Sequence, residues 1–289
     1  MTTIDFLRLN DLHLVSKLVS EELRLGLHTS RRTGVGAEFE QYRHYQPGDD
    51  PKRIDWKLLA RTDRHMVRES TTESNRQIRF LIDLSGSMNY AENGVSRLKY
   101  AKIVLASLAY LGFRQGDDMS LYGLQNGVVR PLVPSGRGQA SSRFQKIVVA
   151  LEQAEAAGGW NPSEPALPAF GTKTNEMLIM VSDLLQVSEE WLSLVQSLAH
   201  PRREILLFQV LGDQEIDFTM TGFFRFQDLE TGREVELEAD AIRETVRQQA
   251  AAYFEKLDEG LRIPHLRLVR AQLSEPIALV LRRGLLSIS

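Results

Sequence analysis

The spacing of hydrophobic residues changes along this chain, and each spacing predicts a different kind of element. In residues 1–30 hydrophobic side chains recur every three or four positions, which predicts an amphipathic helix. They are Leu12, Val15, Leu18, Val19, Leu23 and Leu27. Residues 31–75 instead mix charged, aromatic and turn-forming residues, with a helical period only around residues 56–61. We therefore predict a small β-rich or irregular module after the first helix.

From residue 76 onward, short apolar runs alternate with longer amphipathic stretches. Strands are predicted at 78–84, 119–124, 127–134, 177–182, 204–211 and 265–271, and helices at 97–112, 141–156, 188–199 and 241–257, with a further helix after the last strand. Two alternating strands flank a turn at Thr231 and Gly232. This alternation predicts an α/β fold with a mostly parallel sheet flanked by helices. We assign residues 1–75 to an N-terminal module and 76–289 to the α/β domain.

Composition excludes several classes of protein. The 289 residues carry a net charge of −3 and no cysteine, so disulfides and thiolate metal sites are excluded. No stretch reaches the ~20 apolar residues that cross a bilayer, and the N-terminus lacks the apolar core of a secretory signal. Cations in residues 24–68 are interleaved with acids, unlike a nucleic-acid-binding stripe. We expect a cytoplasmic protein that neither inserts into membranes nor binds nucleic acid.

Common catalytic motifs are also missing. The chain contains neither the G-x-x-x-x-G-K-[ST] phosphate loop of many ATPases nor the G-x-S-x-G turn of serine hydrolases. Its six histidines are scattered without the spacing of a zinc site.

The densest candidate chemistry follows the first predicted strand of the sheet. Asp83, Ser85 and Ser87 form a D-x-S-x-S pattern directly after an apolar run, and Gly86 gives the loop its backbone freedom. Carboxylate and hydroxyl oxygens are hard donors that suit Mg²⁺ or Mn²⁺. The same pattern is also typical of a plain turn or helix cap, because both side-chain types bond to nearby backbone N–H groups.

A second carboxylate strengthens the metal interpretation. Asp183 follows another apolar strand, and in a doubly wound sheet the two strands can be neighbours. Two carboxylates ~5 Å apart repel by about 3 kcal/mol at an effective dielectric of 20. A bound cation, a basic partner or protonation of one acid must offset that repulsion. Protein ligands would not fill the ~six positions around Mg²⁺, which leaves room for water or for a partner's carboxylate.

These residues, together with an upstream segment, resemble a known family. Asp83, Ser85, Ser87 and Asp183 look like the metal-ion-dependent adhesion site of von Willebrand factor A domains. The upstream string resembles the domain-of-unknown-function family 58, which joins such a segment to a von Willebrand A-like domain. The matching positions are Gly34, Gly36, Glu38, Phe39, Arg43, Tyr45, the run from Pro47 to Trp56, Ala60 and Arg61.

The resemblance implies a function by association. Members of that family often occur alongside MoxR-type AAA+ ATPases, so the chain is expected to be a non-enzymatic adaptor or co-chaperone that acts with such an ATPase on a client protein. One departure concerns the metal ligands. The adhesion site uses a Thr where this chain has Trp160 and Asn161. Asn161 either offers its amide oxygen to the metal or caps a helix that begins at Pro162.

The upstream segment has two open interpretations. Its polar and aromatic residues form either a buried ion-pair network that braces the module or a docking face for the partner. The residues concerned are Glu38, Arg43, Asp49, Asp50, Arg53, Asp55, Trp56 and Arg61. Two alternatives to the adaptor function also stay open. One is a metal-dependent hydrolase using Asp83 and Asp183, and the other is a structural scaffold with an empty site.

Overall fold

The predicted alternation of strands and helices produces one six-stranded sheet. The computed structural model describes residues 11–31, 41–44, 58–59, 66–69, 77–136, 139–159, 176–185, 190–229 and 232–286. In chain order the elements are α1 (Leu12–Arg31), β1 (Gln41–His44), β2 (Met66–Glu69), β3 (Gln77–Asp83), β4 (Ala91–Glu92), β5 (Val95–Ser96), α2 (Arg97–Gln115), β6 (Asp118–Gln125), β7 (Val128–Val133), α3 (Ala140–Gln153), β8 (Glu176–Ser182), α4 (Glu190–Leu198), β9 (Arg203–Leu211), α5 (Asp213–Asp217), β10 (Phe223–Gln227), β11 (Glu234–Glu238), α6 (Ala239–Gly260), β12 (Leu266–Gln272) and α7 (Ile277–Leu286).

The order of the strands places a crevice at the centre of the sheet. The order is β12–β9–β8–β3–β6–β7, parallel throughout except for the antiparallel edge strand β7. The chain therefore builds one half of the sheet from β3 outward and then returns to β8 to build the other half. Open α/β sheets bind ligands at such a reversal, beyond the carboxyl ends of the strands. Here that position lies between β3 and β8.

Helices cover both faces of the sheet, as the fold prediction requires. Side chains of α4 and α6 pack with one strand face through Trp191, Leu194 and Leu257. On the other face α2 approaches β3 and β6 so closely that a Cβ at Gly112 would lie 2.9 Å from the sulfur atom of Met119 and 3.3 Å from Ile78. The predicted α/β class with a mostly parallel, helix-flanked sheet is confirmed. Its four inner strands, β9, β8, β3 and β6, are almost wholly buried, which explains why they appear in the sequence as mostly apolar runs.

The residues at turns and helix ends suit the backbone conformations found there. The turn between β6 and β7 consists of Asn126 and Gly127, both with positive φ, as a two-residue hairpin of type I′ requires. Helix α2 begins at a Ser96 cap and ends at Gly116 in the left-handed conformation. The short elements β4, β5 and α5 were not predicted, because two to five residues carry too little hydrophobic period to be recognised.

The chain divides into two compact units, Met1–Leu23 with Arg76–Ser289, and Arg24–Asn75. This division differs from the predicted domain boundary, because the first part of α1 belongs to the larger unit. There Ser20 donates to the carbonyl oxygen of Ser107 in α2 at 2.8 Å. In the smaller unit, β1 and β2 form an antiparallel pair in which Arg43 lies opposite Val67.

A buried charge cluster closes the end of the sheet opposite the crevice. Glu176, at the start of β8, accepts from Arg79 Nε at 2.6 Å and from Arg203 Nε at 2.5 Å. All three side chains are at most 6% exposed. Arg79 also donates to the hydroxyl of Tyr122 at 3.1 Å. One carboxylate therefore holds three strands together through two guanidinium groups.

None of the helices in the described part of the chain combines the length and the apolar character needed to cross a bilayer.

Candidate metal centre at the carboxyl edge of the sheet

The D-x-S-x-S loop leaves β3 with its carboxylate already oriented. Asp83 is fully buried, and its Oδ1 accepts from the backbone N–H of Ser85 at 2.9 Å. This bond turns the chain sharply after the strand, as aspartates commonly do in turns. A short 3₁₀ turn, Gly86–Asn89, follows.

The two serine hydroxyls lie next to each other. The Oγ atoms of Ser85 and Ser87 are 3.0 Å apart; Ser85 is buried and Ser87 is half-buried. Neighbouring ligands around an octahedral ion with metal–oxygen bonds of ~2.1 Å also lie about 3 Å apart. The loop thus presents two hydroxyl oxygens at a spacing that suits one small divalent cation.

The end of β8 brings the second carboxylate to the same crevice. Ser182, the last residue of β8, donates its hydroxyl to Asp83 Oδ2 at 2.6 Å and so joins the two strand ends. Asp183 follows and is fully buried. Leu184 then adopts a left-handed conformation with φ of 55°, unusual for a leucine, and donates its N–H to Ser182 at 3.0 Å. The predicted proximity of Asp83 and Asp183 follows from this arrangement.

Arg97 is a part of the centre that sequence reasoning missed. Its Nη1 donates to Asp183 Oδ2 at 2.6 Å and to the carbonyl oxygen of Ser87 at 2.9 Å. The side chain is 2% exposed, and its Nε has no hydrogen-bond partner among the described residues. Repulsion between the two carboxylates can be offset by a bound cation, by a basic group or by protonation of one acid. The structure contains the basic group, Arg97. It comes from the chain itself.

Further contacts hold the guanidinium in place. Nη2 of Arg97 pairs with Glu215 of α5, and the group lies over the Tyr90 ring, 4.6 Å from its centroid. Tyr90 donates its hydroxyl to Glu92. Glu92 in turn accepts from the backbone N–H of Asp213 at 2.8 Å, at the start of α5. These bonds connect the β3–α2 loop to the end of β9.

A signal for Arg97 was present in the sequence. Arg97 is the first residue of α2, whose N-terminal end carries a partial positive charge that disfavours a cation. An arginine in that place needs a compensating acid from elsewhere in the fold. No such signal marked Ser182, because a serine at the end of a strand is common.

The surroundings of Asp83 change the pKa of its carboxyl group. Burial and, to a smaller extent, the negative charge of Asp183 together raise the pKa of this carboxyl group from 3.8 to about 6, against hydrogen bonds from Ser182 and Ser85 that lower it. A bound cation would favour the ionised form. The buried carboxylate is therefore a group that gains from a cation placed at the hydroxyl pair.

The donor set fits a small divalent cation with few protein ligands. Asp83, Ser85 and Ser87 would hold it through one carboxylate and two hydroxyl oxygens. Within the described residues, no group of three or more acidic, histidine or cysteine side chains is arranged around a common point. A site of this composition leaves coordination positions for water or for an external ligand.

Gly86 is required by the packing of this loop. A Cβ at this position would lie 2.8 Å from the carbonyl oxygen of Leu229 and 3.0 Å from that of Gly158. The Gly86 N–H also donates to the Gly158 oxygen at 2.6 Å. The Ser85–Ser87 loop therefore packs closely, at Gly86, against Gly158 after α3 and Leu229 after β10.

We expect Gly86→Ala to lower the free energy of unfolding by about 1–3 kcal/mol, because backbone atoms must move to admit the methyl group. The displaced loop should also lose affinity for Mn²⁺. Urea unfolding and Mn²⁺ titration measure the two effects. Gly136→Ala is the control, since a Cβ there approaches a single side-chain atom at 3.7 Å. Equal stability of both variants would contradict the assigned packing.

The remaining predicted site residues fall outside the described part of the chain. These are Asn161, Glu38, Asp49, Asp50, Arg53, Asp55, Trp56 and Arg61. Arg43 lies in β1, where its backbone position alone is described. The roles assigned to these residues stay predictions.

Comparison with known proteins identifies relatives along most of the chain. The family model described as "Protein of unknown function DUF58" matches residues 41–256. The protein Rv1480 of Mycobacterium tuberculosis strain H37Rv is 26% identical over 248 residues, which cover 85% of this chain and 77% of that protein. The protein Mb1516 of Mycobacterium bovis has the same identity and coverage.

Two solved structures are similar at low sequence identity. BatB from Bacteroides thetaiotaomicron is 12% identical, with a TM-score of 0.44, and the match covers 74% of this chain and 98% of BatB. The SpRpn10 VWA domain is also 12% identical, with a TM-score of 0.43, and the match covers 73% of this chain and 95% of that domain.

Proposed function

Because this chain belongs to the family of proteins of unknown function DUF58, we propose that it is a non-enzymatic protein-interaction module of von Willebrand A-like type. Its docking site is the crevice between β3 and β8. One observation carries the proposal: two serine hydroxyls 3.0 Å apart lie directly after the buried carboxylate of Asp83, at the point where the strand order reverses.

The residues of the crevice suit recognition of an acidic side chain. Mg²⁺ or Mn²⁺, when bound, supplies a positive charge at the hydroxyl pair. Asp83 offsets that charge, and Ser85 and Ser87 orient their oxygens toward it. The open positions then favour a carboxylate from a partner over a neutral group. The site thereby selects partners by charge.

A binding role is favoured over a hydrolytic one by the side chains around the two carboxylates. Asp83 accepts hydrogen bonds from the backbone N–H of Ser85 and the hydroxyl of Ser182, and Asp183 accepts from the guanidinium of Arg97 and the backbone N–H of Leu185. A guanidinium keeps its proton and a serine hydroxyl does not ionise near neutral pH, so neither serves as a general base.

The partner we propose is a MoxR-type AAA+ ATPase, with this chain as the adaptor that helps it act on a client complex. The support for this assignment is the resemblance of the D-x-S-x-S loop and the upstream segment to that family, whose members often occur alongside such ATPases. A second candidate is a scaffold that binds no cation. It is favoured by the ion pair of Arg97 and Asp183, which compensates one carboxylate without a metal.

Ser85→Ala tests the adaptor proposal. The variant removes one hydroxyl donor and should weaken capture of an AAA+ ATPase from native lysate by roughly tenfold, because a partner held through the cation loses part of its anchor. Wild type and variant are compared in Mg²⁺ and in EDTA, with bound proteins identified by mass spectrometry. Ser197→Ala, which removes an exposed hydroxyl on α4, is the matched control.

Three outcomes separate the candidates. Capture by wild type and Ser197→Ala in Mg²⁺ alone supports a cation-dependent adaptor. Equal capture by all proteins in EDTA would move the interface away from the crevice. If no sample captures an ATPase and wild type does not bind Mn²⁺, the scaffold that binds no cation is the remaining candidate function.

A further inference from the structure

The positive charge of Arg97 is held inside the candidate centre, where a partner cannot reach it. Its side chain is 2% exposed. A single nitrogen, Nη1, connects the two halves of the centre, since it donates to Asp183 at 2.6 Å and to the backbone oxygen of Ser87 at 2.9 Å. A guanidinium stays charged at every pH at which proteins are folded. Asp183 therefore faces a permanent cation.

This pairing changes the charge that a divalent ion would meet. Two ionised carboxylates would present two negative charges, but Arg97, which also pairs with Glu215, offsets part of the charge of Asp183 and occupies its Oδ2. The other oxygen of Asp183 is also engaged, because it accepts from the backbone N–H of Leu185 at 3.2 Å. Affinity of oxygen sites for divalent cations depends strongly on the number of charged ligands. With Asp183 paired to Arg97, the centre offers fewer charged ligands and should bind a divalent cation weakly.

The contacts around the guanidinium keep it from moving away when an ion arrives. Glu215 pairs with Nη2 from the side of α5, and Tyr90 lies against the flat face of the group. Glu215 is itself held by the backbone N–H of Gly212, which donates to it at 2.7 Å. Arg97 is thereby fixed from three directions.

We infer that Arg97 sets the cation affinity of this centre by withholding Asp183 from the metal, so that the second carboxylate must come from the partner. The inference rests on the proposed function and adds the device that makes the partner's acid necessary. Arg97 is a positioning residue, since it acts through Asp183 and the Ser87 backbone. A centre with two free carboxylates of its own would hold the ion without a partner. A centre with one available carboxylate of its own binds the ion and the acidic partner together.

The test compares Mn²⁺ affinities of the full chain, measured by calorimetry and by electron paramagnetic resonance of free Mn²⁺. Arg97→Gln frees Asp183 and should bind Mn²⁺ at least tenfold more tightly than wild type. Arg97→Lys keeps the positive charge and should stay within about threefold of wild type. A merely structural role for Arg97 predicts weaker binding in both variants, because the loop would lose its support.

A double variant protects the test against misfolding. Arg97→Gln leaves a buried carboxylate without its cation, which can destabilise the fold. Arg97→Gln with Asp183→Asn removes both members of the neutral pair and should return Mn²⁺ affinity to the wild-type level. A loss of tenfold or more in the double variant would show that Asp183 is a ligand in the wild type and would overturn the inference.

Failure of the inference and failure of the proposed function give different results. Wild-type Mn²⁺ binding that depends on Asp83 but is unchanged in Arg97→Gln would overturn the inference and leave the proposed function in place. Tighter Mn²⁺ binding by Arg97→Gln, together with partner capture by wild type that is equal in Mg²⁺ and in EDTA, would support the inference and reject the cation-dependent docking of the native protein.

Discussion

Asp83→Asn is expected to abolish binding of divalent cations and, in their absence, to make the protein more stable above pH 6. The two effects have opposite signs because the ionised carboxylate of Asp83 would be a ligand for the cation, whereas its burial lowers the stability of the folded protein. Asparagine preserves the shape of the side chain. Its oxygen can accept from Ser85 and its amide can donate to Ser182, so the buried hydrogen bonds are retained.

The sign follows from the pKa of the buried group. Burial and the charge of Asp183 raise the pKa of Asp83 to about 6, against 3.8 for an unperturbed aspartate. The folded state therefore binds the proton more tightly than the unfolded chain between these values. Stability from this group is complete below about pH 4 and is lost as the pH rises to about 6. A shift of ~2 pKa units corresponds to about 3 kcal/mol.

Urea unfolding in EDTA, followed from pH 4 to pH 8, measures this effect. The free energies of unfolding of wild type and Asp83→Asn should be similar at pH 4, and the variant should be more stable by up to about 3 kcal/mol at pH 8. Added Mn²⁺ should stabilise the wild type alone. Asp217→Asn, which replaces an exposed carboxylate on α5, is the control. A variant less stable than wild type at pH 8 would contradict the assigned charge balance.

Glu176→Gln is expected to cost about 3–5 kcal/mol of folding free energy, the second large effect. The variant removes the negative charge of Glu176, which pairs with both Arg79 and Arg203, and these arginines are almost fully buried. Breaking one side of a buried ion pair is costly because the remaining charge is already out of water. The loss should not alter Mn²⁺ affinity, because Glu176 lies at the opposite end of β8 from Ser182.

Chemical denaturation followed by circular dichroism measures this loss. Glu204→Gln is the matched control, since Glu204 is exposed on the adjacent strand β9, and it should change stability by less than about 0.5 kcal/mol. A loss below about 1 kcal/mol for Glu176→Gln would mean that the two arginines find other partners without structural cost.

The structure also explains how one chain can carry two carboxylates in one crevice. Asp83 receives hydrogen bonds from Ser85 and Ser182, and Asp183 receives a guanidinium. The two acids are therefore stabilised by different means, Asp83 by hydrogen bonds from neutral groups and Asp183 by an ion pair. That asymmetry is the basis for assigning the cation to the Ser85–Ser87 side of the crevice.

Much of this arrangement could be predicted from the sequence. The apolar run before Asp83 predicted a buried strand, and the turn-forming residues after it predicted the loop. The same reasoning placed Asp183 after a second buried strand, and alternation of strands and helices predicted that both strands belong to one parallel sheet. These predictions succeed because hydrophobic period and turn chemistry are local properties, read within about ten residues.

The tertiary structure alone decided which charges meet. Arg97 reaches Asp183 and Glu215 across sequence separations of 86 and 118 residues. Glu176 meets Arg79 across 97 residues. No local pattern records such pairings, because they depend on which strands become neighbours and where each helix begins over the sheet. The sequence by itself determined the fold class and the position of the D-x-S-x-S loop. The pairing of Arg97 with Asp183 was decided by folding, because it requires the start of α2 and the end of β8 to meet.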